Sequence, residues 1–191
     1  MKRFCMLVAI GLCLSSFAGT AFGFDGNREG FVFGIGVGGH LNFERLEFFS
    51  HSEEYEIKNG YGGWGTSFRL GGGVSDKAIL YFANEANFFK NENSNDLMVT
   101  TLTGVGVNVY NSPEPEELYG GVILGFASSR NLSNPEMPKY NGFGIDVLMG
   151  YEMAKFVSLQ TDILKSWVTS AEVSDTKEIY TCKLTLQFNF Y

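Results

Sequence analysis

From Phe31 onward the chain alternates large apolar residues with small or polar ones. Phe31, Phe33, Ile35, Val37, Leu41 and Phe43 share one parity, and Gly34, Gly36, Gly38, His40 and Asn42 the other. A period of two puts these sets on opposite faces of a β-strand. The pattern recurs around Trp64–Leu70, Leu80–Phe88, Val99–Val109, Val122–Phe126, Phe143–Tyr151 and Val157–Ile163, and again in the closing stretch with Leu184, Leu186, Phe188 and Phe190. Asn84 interrupts one apolar face, and Leu102, Ile123 and Leu148 intrude on the small-residue side. The pattern predicts eight strands of about ten residues, a length that suits a tilted membrane-crossing β-segment.

The connections alternate as well. Residues 44–60, 89–96, 128–140 and 165–178 are long or polar, whereas 75–77 and 153–155 are tight turns and 111–117 is a proline-set turn. Long loops at one end and short turns at the other are expected of an up-and-down barrel with an outside and a periplasmic side. A soluble sandwich would also alternate, but it would bury its large residues and expose charges. Here the second face is mostly Gly, Ser, Thr, Ala and Asn, which suits the narrow inside of a closed eight-stranded barrel. The fold class read from the pattern is therefore all-β, an eight-stranded antiparallel up-and-down transmembrane β-barrel.

Ahead of the strands, Lys2 and Arg3 precede an apolar run from Phe4 to Leu14, and Ala21 and Gly23 stand at the −3 and −1 positions of a cleavage site. Residues 1–23 read as a secretory signal and 24–191 as the barrel domain. Leu12 is too large for the position before a lipidated cysteine, so Cys13 is not expected to be lipidated. Cleavage leaves Cys182 as the one thiol, which excludes an internal disulfide framework. The net charge of −7 argues against a nucleic-acid partner.

Candidate chemistry is sparse. Arg69, Glu85, Asp146, Asp162 and Lys183 share the inward parity, and charges in a tight interior must pair. They are expected to form a lumenal charge network that plugs the barrel. Phe43, Tyr61, Trp64, Tyr110, Tyr119, Tyr151, Phe156 and Tyr191, near strand ends, are expected to form aromatic girdles. Acidic residues in the first loop (Glu44, Glu47, Glu53, Glu54, Glu56) and the last (Glu172, Asp175, Glu178) read as a solvated face. Gly34-x-Gly36-x-x-Gly39 matches a dinucleotide fingerprint, but it lies inside one continuous strand rather than at a strand-to-helix turn. No histidine pair has metal-ligand spacing, and no metal, cofactor or catalytic residue is expected.

The region 24–191 resembles the eight-stranded outer-membrane barrels of Gram-negative bacteria, the OmpA-type transmembrane domain and its relatives. On that resemblance, the alternation Leu184, Leu186, Phe188, Phe190 is an assembly signal for the barrel-assembly machinery. Tyr191 lies one residue past the family's usual final aromatic. The resemblance implies residence in the bacterial outer membrane, among lipid and lipopolysaccharide, after export through the periplasm. It implies a structural or surface-interaction role through the loops: membrane integrity, adhesion or recognition. A narrow pore or small-ligand barrel is the alternative. Lipid A-modifying enzymes share the fold, but Ser50, His51, Ser52, Glu53 and Glu54 do not match the deacylase arrangement, and a palmitoyltransferase would need a greasier lumen than this one.

Overall fold

The computed structural model describes residues 28–47, 56–90, 95–114, 116–154, 156–172 and 176–191. Eight antiparallel strands close into one barrel in sequence order. They are β1 (Gly30–Glu47), β2 (Glu56–Ser75), β3 (Ala78–Lys90), β4 (Leu97–Tyr110), β5 (Leu118–Asn131), β6 (Tyr140–Ala154), β7 (Val157–Thr169) and β8 (Thr176–Phe190). The strands run longer than the alternation alone suggests, 18 and 20 residues in β1 and β2. The ladder continues past the apolar positions into residues that read as loop, because backbone pairing does not require an apolar face. It survives a bulge opposite Phe43, where Asn42 pairs with Tyr61 but Glu44 with Lys58.

Closure comes from β1 and β8, paired from Phe33↔Phe190 to Glu47↔Thr176. The lumen side of this seam is lopsided. A Cβ on Gly34 would sit 2.7 Å from Asn189 Oδ1, and one on Gly36 would sit 2.3 Å from Gln187 Oε1. The fingerprint-like glycines Gly34 and Gly36 therefore make room for β8 side chains.

Large apolar residues face out. Val37, Val105 and Ile163 are each more than half exposed, at 53%, 56% and 57%. Such residues cover most of the wall, far beyond the few hundred Å² of contiguous apolar surface that a soluble monomer tolerates. Asn84 does interrupt this wall, but its amide donates to Thr103 Oγ1 of the paired residue at 2.7 Å, so the two outward polar groups satisfy each other.

The intrusion of Leu102, Ile123 and Leu148 on the small-residue side belongs to a larger apolar set in the lumen. Leu102, Ile123 and Leu148 point inward with Val32, Ile79, Leu164, Val168 and Ile179 and form a buried apolar cluster. These residues fill space beside the glycines, which alone would leave voids in so narrow an interior.

Candidate functional site

Charges of both signs cross the middle of the lumen. Arg69 on β2, Glu85 on β3, Asp146 on β6, Asp162 on β7 and Lys183 on β8 are all buried. Lys183 Nζ donates to Glu85 Oε2 and lies 3.7 Å from Asp162 Oδ2. Arg69 Nη2 lies 3.9 Å from Glu85 Oε1 and donates to Gln160 Oε1 at 2.7 Å. Gln160 Nε2 in turn donates to Asp162 Oδ2 at 2.9 Å. Asn108 branches from this ring: with its amide turned so that oxygen and nitrogen each meet a complementary group, it accepts from Arg69 Nη1 at 3.3 Å and donates to the Tyr81 hydroxyl at 2.7 Å. Four of the five expected charges thus join one network. Asp146 stands outside it, and neither of its carboxylate oxygens has a hydrogen-bond partner among the described residues. Its register partner is Leu164, and Asp162 pairs with Leu148, so the two aspartates sit diagonally on neighbouring strands.

A second cluster closes the short-turn end. Arg28, just before β1, donates from Nη1 to Ser112 O and from Nη2 to Glu114 O, each at 2.8 Å. Its Nη2 also pairs with Glu152 Oε2 at 2.5 Å, and its guanidinium lies 3.8 Å from the Tyr110 ring centroid. The Tyr191 hydroxyl donates to Glu152 Oε1 at 2.7 Å and meets the Tyr110 hydroxyl at 2.9 Å. The Tyr119 hydroxyl reaches Ser158 Oγ at 3.1 Å and Gln160 Oε1 at 3.2 Å, linking this cluster to the network above it.

This cluster corrects the expected girdle. Tyr61, Tyr110, Tyr119 and Tyr191 are at most 5% exposed and face inward. Proximity to strand ends placed them in the girdle, whereas their parity, opposite to Trp64, Val109, Val122 and Phe190, sets their direction. Inside, the hydroxyls of Tyr110, Tyr119 and Tyr191 find partners that hydrocarbon would not supply. Parity likewise signalled Glu152. Nothing in the alternation signalled Arg28, which precedes it. Tyr119 fits because β6 offers Gly150, where an added Cβ would lie 2.2 Å from its ring carbon Cζ. Gly150→Val should therefore lower stability by about 1–3 kcal/mol through overpacking. The check is the temperature at which the folded band on unboiled gels is lost, and no change would contradict this placement of Tyr119.

Phe43, Trp64 and Tyr151 do face out. Trp64 stacks on Phe88 with centroids 4.5 Å apart. Phe156 occupies the β6–β7 turn with φ of 73° and stacks on Phe190 at 5.6 Å. At the long-loop end, the alternation missed an outward set on β7 and β8. Glu178 accepts from Trp167 Nε1 at 3.0 Å and from the Tyr180 hydroxyl at 2.9 Å, and pairs with Lys165 Nζ at 3.2 Å. Of the acidic loop residues, Glu44 is 3.9 Å from Lys177 Nζ, so it and Glu178 are partnered rather than simply solvated. Ser50–Glu54 and Asp175 lie outside the described residues. On β8, Leu184 and Leu186 face out, and Phe188 and Phe190 are half-buried, Phe190 beside Phe33 at 6.1 Å. Cys182 is a free, exposed thiol.

Solved structures of similar shape include the attachment invasion locus protein Ail of Yersinia pestis. It matches with a TM-score of 0.51 and 12% identity over 84% of this chain and 99% of Ail. Neisserial surface protein A matches with a TM-score of 0.52 and 16% identity over 83% of this chain and 96% of that one. No protein-family model matches the chain, and no curated protein matches it in sequence. At these identities the likeness is one of fold.

Proposed function

We propose that this chain, which has the fold of the eight-stranded outer-membrane β-barrels, resides in a bacterial outer membrane as a non-conducting barrel that acts through its outer wall and long-loop end. One observation carries the reading: the molecule is inverted, with large apolar side chains such as Trp64, Phe126 and Phe143 outside and the charges of Arg69, Glu85, Asp146, Asp162 and Lys183 inside. The wall suits hydrocarbon, and closure leaves no unpaired strand edge within it. The two side-chain layers cross the lumen at its middle and at its short-turn end, which favours a structural or surface-interaction role over conduction. Ail's name speaks of attachment and invasion; for this chain, adhesion or recognition through the loops is the corresponding proposal. Residues 184–190 then serve as the assembly signal, and export would follow from the leader in residues 1–23. Catalysis forms no part of the proposal.

The narrow-pore alternative draws on a specific feature. His40, Asn87 and Thr100, buried in the long-loop half, have side-chain atoms without hydrogen-bond partners among the described residues. Membrane fractionation, gel mobility with and without boiling, and planar-bilayer recording separate the readings. The expected result is an outer-membrane protein whose mobility shifts on boiling and which conducts no resolvable current. A soluble periplasmic protein without a shift would sink the membrane reading. Steady channels from the folded protein would replace the plug with the pore.

A further inference from the structure

The outer wall carries one polar path. Following the ladder sideways, Thr66 pairs with Ala86, Ala86 with Thr101, Thr101 with Ser128, Ser128 with Asn141, and Asn141 with Thr169. All have outward parity, so a ribbon of hydroxyls and one amide, interrupted at Ala86, crosses a wall that is otherwise mostly apolar. Thr101 and Ser128 share a hydrogen bond of 2.8 Å, and Asn141 beside them is exposed. Here the wall is hollowed into a groove of 610 Å³ with Thr101, Thr103, Ser128 and Asn141 as its polar lining and Phe126 and Phe143 as its apolar lining. Phe126 is 81% exposed, the highest value among the exposed large hydrophobic residues.

The charges beside this groove are distinctive. Among the described residues, Arg28, Arg69, Lys165, Lys177 and Lys183 each pair with a carboxylate. Among the same residues Lys90, Arg130 and Lys139 pair with none, nor does Lys77 at the opposite end, and the first three are exposed in one sector of the long-loop end. Lys90 ends β3 opposite Leu97. Arg130 lies two residues above Ser128, opposite Val99. Lys139 adjoins Tyr140, the partner of Ser129. Two acids lie nearby. Asp96 accepts from Asn131 Nδ2 at 2.9 Å, and Glu136 is exposed in the β5–β6 loop.

We infer that the β4–β6 wall seats one phosphorylated, acylated sugar lipid of the outer leaflet, a reading that rests on the outer-membrane placement above. Arg130 and Lys139, with Lys90 at the edge, take the phosphate. The Thr101, Ser128 and Asn141 side chains meet sugar hydroxyls and acyl amides, and Phe126 and Phe143 pack against the acyl chains. The vertical order of the groups is the order within such a lipid: anion outermost, polar linkage next, hydrocarbon beneath. A phospholipid with a single zwitterionic headgroup would leave the polar ribbon unmatched.

The test uses the folded full-length barrel in detergent, with rough-type lipopolysaccharide as the probe and native mass spectrometry as the readout. Retention of bis-phosphorylated probe is expected, with dephosphorylated probe held less well. The double variant Arg130→Ser, Lys139→Ser should bind about tenfold more weakly, the loss expected for one or two charge-assisted contacts. Ser128→Leu with Asn141→Leu should weaken binding of either probe, and Lys77→Ser, at the opposite end, should change nothing. Heat-shifted gels run on every variant report folding independently of binding. Equal retention of phosphorylated and dephosphorylated probe, or wild-type retention by the double serine variant while folded, would overturn the seat. Neither result would touch the outer-membrane reading, which stands or falls on fractionation.

Discussion

Lys183→Met should be the most damaging single change in the lumen. Methionine fills much of the same volume but leaves Glu85 and Asp162 without their shared cation. Arg69 would then face Glu85, Asp162 and Asp146 as the one remaining positive charge of the mid-lumen network. Removing one partner of a buried ion pair costs about 3–5 kcal/mol, because the other charge stays buried without compensation. Urea unfolding of the refolded barrel, followed by loss of the heat-modifiable band, is the measurement. A midpoint equal to wild type would show that the pairing carries no stability. Glu85→Gln added to Lys183→Met should recover part of the loss, since it removes one stranded charge. A double variant no better than the single would mean that Lys183 acts through packing instead.

Arg28→Ala should have the second-largest effect, by a different route. Arg28 ties together the backbone of the β4–β5 turn, the Glu152 carboxylate and the Tyr110 ring. Without it, Glu152, whose side chain is 3% exposed, keeps the Tyr191 hydroxyl as its described hydrogen-bond donor. A buried charged acceptor stripped of its cation costs about 2–3 kcal/mol near a solvent-facing mouth. Conductance should stay at the wild-type level, because the Arg69–Glu85–Lys183 layer still blocks the path. A stable variant that conducts would make the Arg28 cluster, rather than the mid-lumen charges, the true closure.

The barrel was legible because period two and side-chain size agree along most of each strand, the exceptions at Asn84, Leu102, Ile123 and Leu148 being too few to hide the alternation. The inward direction of Arg69, Glu85, Asp146, Asp162 and Lys183 follows from parity alone. Which of them touch does not, because pairing across a lumen depends on strand tilt and shear, which alternation does not encode. Asp146 shares the parity of Asp162 yet stays outside the hydrogen-bonded network. The tyrosines were misplaced for another reason: Tyr suits both an interface and a wet interior, so nearness to a strand end outweighed parity at Tyr61, Tyr110, Tyr119 and Tyr191. The groove under Arg130 and Lys139 could not be read at all, since its members lie on three strands and meet only through register.

The lopsided seam bears on how the barrel shuts. On β1 the lumen side from Gly34 to Gly38 is a bare track, and on β8 the facing positions are Thr185, Gln187 and Asn189. Along this stretch β1 sets no lumenal side chain against β8, and β8 supplies all of them. Its polar groups slide over backbone rather than threading between opposing rotamers. The joint between the two ends of the sheet is therefore smooth on its lumen side, and adding bulk at Gly34 or Gly36 would roughen it.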